Sequence, residues 1–549
     1  MSSSMGGESA GLADRAAPFA RESTGLVREV SAVDASILGA SNGPLGQYIV
    51  LVVPFGVGLF AAASTGSFFI AAILAALFSV PVLLNYAVLS AAMPRSGGDY
   101  VFNSRLISPV VGFVGNFNLA FWQLIGAGAW AALIVLAVVS PALTVLGSVI
   151  DSSTLETWGA DVTQRGWIIG ISVAVIALLA ILLASGTKRA LRVNSILWLV
   201  GMLSMTLIIL ILLFTSNQEF IASYNAFVGD SDAYNNTIAA AAEAGFATRD
   251  SLLMVWPLSA LAMGVFGWYF WMSFFGGEIK QAGSFKRAVR MMFAPLGIAL
   301  FYVLAITALM FSTFGYEFFT AAAYLSFVDP AALVPAEAAG PAVFLTAISS
   351  GNDLIAALFV VTFLAWGWVL LTCLMIMPIR CALAWSLDQV FPTRLTAVSQ
   401  RFHTPVLLTV IVAAIAAAVA IIATYDDRII EVFVVVVMAT GVYSQGVTGL
   451  GAALFARRMP ELYAQQPISK YRVFGVPLLT VTGSIAFVWT LFWAAAYIRF
   501  ADEFGMKSWI GVTFLVVIAA SILLFYGMRT YKERKGIPVR LVFTQIPPE

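Results

Sequence analysis

The sequence predicts an all-α polytopic membrane protein with twelve transmembrane helices, and three observations carry that prediction. The 549 residues are 61% hydrophobic and 10% charged, with a mean hydropathy of +0.94. Soluble domains run at about 45–50% apolar and about 25% charged. Charge-free runs lie at residues 35–58, 67–92, 106–150, 166–187, 193–218, 251–277, 291–316, 354–379, 404–425, 432–456, 473–498 and 508–528. Each meets or exceeds the roughly 20 residues that cross about 30 Å of hydrocarbon. With the N-terminus in the cytoplasm and the runs alternating, only Arg165, Arg249, Arg428, Arg499 and Lys507 of the 29 basic residues fall outside. That asymmetry is what orients membrane helices.

Taken in order, residues 1–30 are polar and Ser/Gly-rich, without an apolar core of signal-peptide length, and read as a flexible cytoplasmic tail. Residues 31–218 hold five spans, the third reading as a helix over about 109–140 with a further segment on the outer surface after Pro141. A polar outside connection, 219–250, separates them from five more spans over 251–456. A second outside connection follows at 317–353, and with the first it holds Asp230, Asp232, Glu243, Glu317, Asp329 and Glu337. Residues 457–528 add spans 11 and 12, and 529–549 form a second cytoplasmic tail. Cys373 and Cys381 lie eight residues, roughly 12 Å, apart on one helix, too far for a disulfide with each other.

The first run carries "GASNGPLGQY" from Gly39 to Tyr48, where a membrane helix wants aliphatic residues. Pro44 removes an N–H and crowds the preceding turn, while Ser41 and Asn42 offer hydrogen bonds that compete with the helix. The sixth run, "LAMGVFGWYFWMSFFGGE", places Gly264 and Gly267 in mid-membrane before an aromatic cluster. Glycine alone also serves helix packing. Interrupted spans at corresponding positions of two halves, however, are the sequence pointer to a transporter's binding site.

Four stretches resemble the amino acid–polyamine–organocation (APC) permease superfamily: "MPRSGGDYVFNSRLISPVVGF" from Met93, "GTKRALRVNSIL" from Gly186, "GGEIKQAGSFKRAV" from Gly276 and "RCALAWSLDQVFPTRLTAVSQRFHTPV" from Arg380. They keep the family's order over about residues 30–410. The resemblance implies a LeuT-type five-plus-five inverted repeat plus two C-terminal helices, with helices 1 and 6 unwound at the midplane. It implies that an amino acid is held there by free backbone groups, whose partial charges bind a zwitterion without charged side chains. The implied substrate contacts are Ser41, Asn42, Gly43 and Gly46 in helix 1, and Gly264, Phe266, Gly267, Trp268 and Tyr269 in helix 6. Arg95 and Asp99 of the signature loop are the implied inner gate. Two departures stand out: the helix-1 loop lacks the family's usual Gly-x-Gly-Ile-Phe pattern, and Gly201 stands where several proton-coupled members carry a lysine.

Thr362 and Thr372 are candidate sodium ligands on helix 8, although membrane hydroxyls also bond their own backbone. Tyr443 and Ser444 are further pocket candidates. Asn118, Gln123 and Gln445, uncharged polar groups in apolar spans, read as interhelical hydrogen-bonding residues. Asp34, Glu278 and Asp388 flank the runs as caps or loop salt bridges, and His403, the one histidine, sits in a connection. The run interiors hold no ionisable residue, which favours a neutral zwitterion over a polyamine.

The expected activity is secondary active transport of amino acids across the cell membrane, as an ion-coupled symporter or exchanger. The alternative is a permease of the same fold for another small organic solute: an organic acid, amine or polyamine. No cofactor is expected beyond a coupling H+ or Na+, and the partners are the amino acid and the lipid bilayer, not nucleic acid. An enzyme would want a His/Cys/carboxylate cluster in the spans, a channel a charged or carbonyl-repeat filter, and an ATP-driven pump a Walker-type loop.

Overall fold

Hydrocarbon offers no partner to N–H or C=O, so apolar runs must satisfy their backbone in helices. The computed structural model is built that way; it describes residues 25–43, 45, 53–60, 65–249, 251–333, 353–426, 428, 436, 438 and 440–544. Pro44, Gly46, Glu337, residues 1–24 and 545–549 of the tails, and the side chain of Thr362 lie outside the described residues. Among the described residues, nine helices are long and apolar enough to cross a membrane. The first and sixth runs give shorter helices, and the tenth is described continuously only from Thr440.

The first run is split. Helix α1 (Ala32–Ser41) starts at Ser31, whose hydroxyl accepts the Asp34 N–H. It stops where the Ser41 hydroxyl turns back to Ile37 O at 2.7 Å and Asn42 caps the end. Helix α2 (Val53–Phe60) belongs to the far part of the same run. A long α3 (Thr65–Ala92) follows, then α4 (Asp99–Leu106) in the signature connection.

The third run differs from expectation. Helix α5 (Pro109–Ile134) continues through a π turn, Val135–Val139, into α6 (Ser140–Val149), so the rod passes Pro141 instead of stopping near 140. Pro141 sits in the first turn of α6, just after the π turn, whose i→i+5 bonding absorbs the register change that a missing N–H demands. Helix α7 (Ser153–Asp161) folds back onto α6.

Helices α8 (Arg165–Ala184) and α9 (Thr187–Leu213) complete the first half. The connection expected as a polar loop contains α10 (Asn217–Val228), opened by a Ser216/Glu219 capping box, and α11 (Ala233–Glu243). Helix α12 (Ser251–Phe266) ends abruptly and is followed by a 3-10 turn, Trp271–Phe274. Then come α13 (Phe285–Phe314), α14 (Tyr316–Val328), α15 (Asp353–Leu387) and α16 (Val406–Ala423). A second π turn, Gly441–Val447, leads into α17 (Thr448–Arg458). A two-residue hairpin, Arg472–Val473 with Val476–Pro477, precedes α18 (Leu478–Arg499) and α19 (Ser508–Arg534).

Burial ranks the spans. The apolar window of α15 is 94% buried and that of α19 only 22%, which puts α15 in the centre and α19 at the rim. Large side chains such as Leu199, Ile181 and Leu515 stay exposed, as lipid contact requires.

At the end of the bundle near residue 30, three irregular segments pair through their backbones. Val30 N–H donates to Glu278 O and Lys280 N–H to Val30 O, while Gly97 N–H donates to Phe274 O at 3.1 Å. The residue before α1, the signature loop and the segment after α12 thereby close one end of the molecule.

Candidate functional site

The two helix breaks touch backbone to backbone. A Cβ on Gly43 would land on the Val265 carbonyl and lie 3.3 Å from the Trp268 ring, and one on Gly39 would lie 2.9 Å from Tyr269 O. Ser41, Asn42, Gly43, Phe266, Gly267, Trp268 and Tyr269 are therefore brought together, and all are buried.

The interruption of helix 6 expected at Gly264 does not occur there. Gly264 lies inside α12, which runs unbroken to Phe266, and nothing stands within 4 Å of its Cβ position. The break begins at Gly267, where a Cβ would meet Gln445 Nε2 at 2.5 Å.

The helix-6 carbonyls are not bare. The Ser79 hydroxyl donates to Phe266 O at 2.9 Å, Gln445 Nε2 to Gly267 O at 2.9 Å, and the Trp268 indole to Gly264 O. Neutral side-chain donors thus occupy carbonyls that a terminated helix leaves over. Asn42 Oδ1, Tyr269 OH and Gln445 Oε1 are buried without a hydrogen-bond partner. A small cleft lies beside the breaks, lined by Gly43, Leu45, Tyr269, Trp198 and Pro295.

Other candidates scatter. Tyr443 stacks on Phe514 of α19. The Thr372 hydroxyl donates to Trp368 O of its own helix at 3.1 Å. The space beside Gly201 is filled by the Trp366 ring. Arg95 is buried, its Nε and Nη1 without a partner among the described residues.

Ser444 and Asp99 meet in one cluster. The Asp99 carboxylate accepts from Asn116 Nδ2 at 2.6 Å, from the Ser444 hydroxyl at 2.7 Å and from Tyr86 OH at 3.3 Å. Trp385 in turn donates to Asn116 Oδ1 at 2.8 Å, which orients the amide. Burial pushes the Asp99 carboxyl up to about 6, against the lowering effect of these donors.

Two glycines put Asp99 there. Gly97 and Gly98 have φ of 104° and 53°, a region L side chains rarely adopt, and a Cβ on Gly98 would lie 2.8 Å from the Phe274 ring. Gly98→Ala is expected to lower the thermal unfolding midpoint, at a cost of about 1–3 kcal/mol. An unchanged midpoint by intrinsic fluorescence would show that the loop relaxes.

Glu278 and Asp388 do form salt bridges with arginines, one of the two readings expected of them, but the pairs are buried. Arg380 Nε meets Glu278 Oε1 at 2.5 Å and its Nη2 meets Oε2 at 3.1 Å, while Arg105 Nη1 meets Asp388 Oδ2 at 2.8 Å. Both acids lie against the signature loop and α15, where low dielectric demands a partner.

Ser79, Tyr86, Asn116 and Gln445 carry this geometry and went unassigned to the site in the sequence. Their one signal was shared: polar residues in apolar runs need partners.

Residues 36–520 match the sequence profile of an amino acid permease family. No match to a curated protein was found.

Proposed function

The chain belongs to the amino acid permease family, and on that premise we propose that it carries neutral, zwitterionic amino acids across the cell membrane by alternating access. Family membership and the apolar helices support a multi-pass membrane protein, and the family points to a transporter of amino acids rather than an enzyme. Our reading assigns it a LeuT-type five-plus-five inverted repeat with both termini in the cytoplasm, working as an ion-coupled symporter or an exchanger.

One observation carries the substrate assignment: the helix-6 break presents Phe266 O and Gly267 O to neutral donors that an ammonium group can replace. The amino group takes over those carbonyls from Ser79 and Gln445, while Asn42 and Gly43 at the end of α1 face the carboxylate. Trp268 and Tyr269 close over the bound molecule. Arg95, Asp99 and the paired backbones of Val30, Gly97 and Phe274 form the inner gate.

The test is uptake into proteoliposomes of a labelled amino acid panel, with imposed proton or sodium gradients and with preloaded exchange partners. At least one neutral amino acid is expected to enter and to raise the thermal stability of the purified protein. Absence of both uptake and stabilisation across the panel would overturn the proposal.

A further inference from the structure

We propose that Asp99 is the proton-binding site of this carrier, coupled to the substrate site through the π turn Gly441–Val447 and through Tyr86. This rests on the transport reading above and names the ion that drives it.

The carboxylate is 2% exposed, and among the described residues no Lys or Arg nitrogen pairs with it as one does with Glu278 or Asp388. It is held by neutral donors alone: Asn116, Ser444, Tyr86 and the Tyr100 N–H. A buried carboxylate kept without a cation is costly, and a proton is the counter-charge that fits inside such a cage.

Two lines run from this cage to the helix-6 break. Ser444, which donates to Asp99, is followed by Gln445, which donates to Gly267 O. Both lie in the π turn, a rare geometry that recurs at functional sites. Tyr86, the second donor, stacks its ring on Phe270 at 4.1 Å and 17° and also donates to Ser444 O at 3.0 Å.

Protonation rearranges these bonds in a defined way. A proton from water converts the carboxylate, an acceptor only, into an acid with one O–H donor. Facing that O–H, the Ser444 hydroxyl must accept rather than donate, and Tyr86 OH is released toward Ser444 O. Residue 444 changes its bonding at side chain and backbone together, so Gln445 beside it is free to yield Gly267 O to a substrate.

The surroundings leave Asp99 as the group that titrates. On α3 the facing group is Tyr86; on α15 it is the Cys381 thiol. Arg380 on α15 is taken by Glu278 and Arg105 on α4 by Asp388. Helix α5 offers neutral Asn116, the π turn offers Tyr443 and Ser444, and Arg457 and Arg458 sit in the last turn of α17. Arg95 and Tyr100 flank Asp99 on its own segment. Its carboxyl value of about 6, against an ordinary 3.8, puts its titration near physiological pH.

Asp99→Asn in proteoliposomes tests this. An imposed gradient of about one pH unit supports about tenfold accumulation at one proton per substrate. The wild type is expected to approach that ratio and D99N to fall to about one. Whatever exchange of preloaded amino acid D99N retains is expected to lose its variation with pH. Accumulation by D99N equal to wild type overturns the proposal.

A second measurement is independent of transport. The folded state holds the Asp99 proton more tightly than the unfolded state. Wild-type stability therefore gains a contribution present in full below about 4 and lost as pH rises through about 6. D99N is expected to lack that slope, and equal slopes overturn the proton site even if transport is found. If D99N does not fold, Ser444→Ala provides the test: it is expected to keep the stability slope and lose gradient-driven accumulation, and normal accumulation would sink the coupling route. A panel in which nothing is exchanged, with the stability slope intact, would instead remove the amino acid reading and leave the proton site.

Discussion

Gly267→Leu is expected to insert and fold yet lose amino acid uptake by about a hundredfold or more. A Cβ at this position reaches 2.5 Å from Gln445 Nε2 and 2.7 Å from Met263 O, and a leucine adds three more carbons into the same space. The Gln445 amide must leave Gly267 O, and the break must open. Overpacking of this size costs about 1–3 kcal/mol, which a domain survives, whereas a displacement of about 1 Å at a binding site costs about 10²-fold. Gly43→Leu drives a side chain into the Val265 carbonyl on the facing break and is expected to act the same way. Gly170→Leu is the control, because nothing stands within 4 Å of its Cβ position. Uptake per inserted protein measures all three. Normal uptake by both Gly43→Leu and Gly267→Leu would move the substrate site elsewhere.

The largest loss of stability is expected from splitting Arg380 and Glu278. Both side chains are 3% exposed. Arg380 Nη2 also donates to Thr187 at 2.7 Å, and its guanidinium lies 5.5 Å from the Phe275 ring centre. One residue thus ties α9, α15 and the segment after α12. Glu278→Ala leaves that guanidinium buried without its carboxylate, at a cost of about 3–5 kcal/mol. Arg380→Met strands the carboxylate and is expected to cost a similar amount. The double variant, which removes both charges, should recover much of the loss. Thermal unfolding in detergent reads this directly. Single variants within about 1 kcal/mol of wild type would mean that the pair is solvated, as surface pairs are.

The helix-1 break was legible because its causes are local. Ser41 and Asn42 act on their own turn, and α1 ends at Ser41. Gly264 misled for the same reason: a glycine is tolerated within a helix when its neighbours continue it, and α12 passes through. Asp99 was noticed through a signature loop, but as a gate residue on a connection, not as the centre of a cluster. Nothing in the loop shows that Ser444 lies 2.7 Å away across a sequence separation of 345. Gln445 was read as structural because its partner, Gly267 O, is 178 residues distant.

The sequence by itself determined that the chain partitions into a bilayer, where its apolar segments lie, and that helices 1 and 6 are interrupted. Transfer to hydrocarbon is settled within windows of about 20 residues, and helix breaking within a single turn. Only the tertiary structure decided which polar groups neutralise one another. It gave Glu278 and Asp388 their arginines and left Asp99 to hydroxyls and amides. Those choices depend on how each helix is rotated about its axis, and the rotation is fixed by packing against neighbours hundreds of residues away.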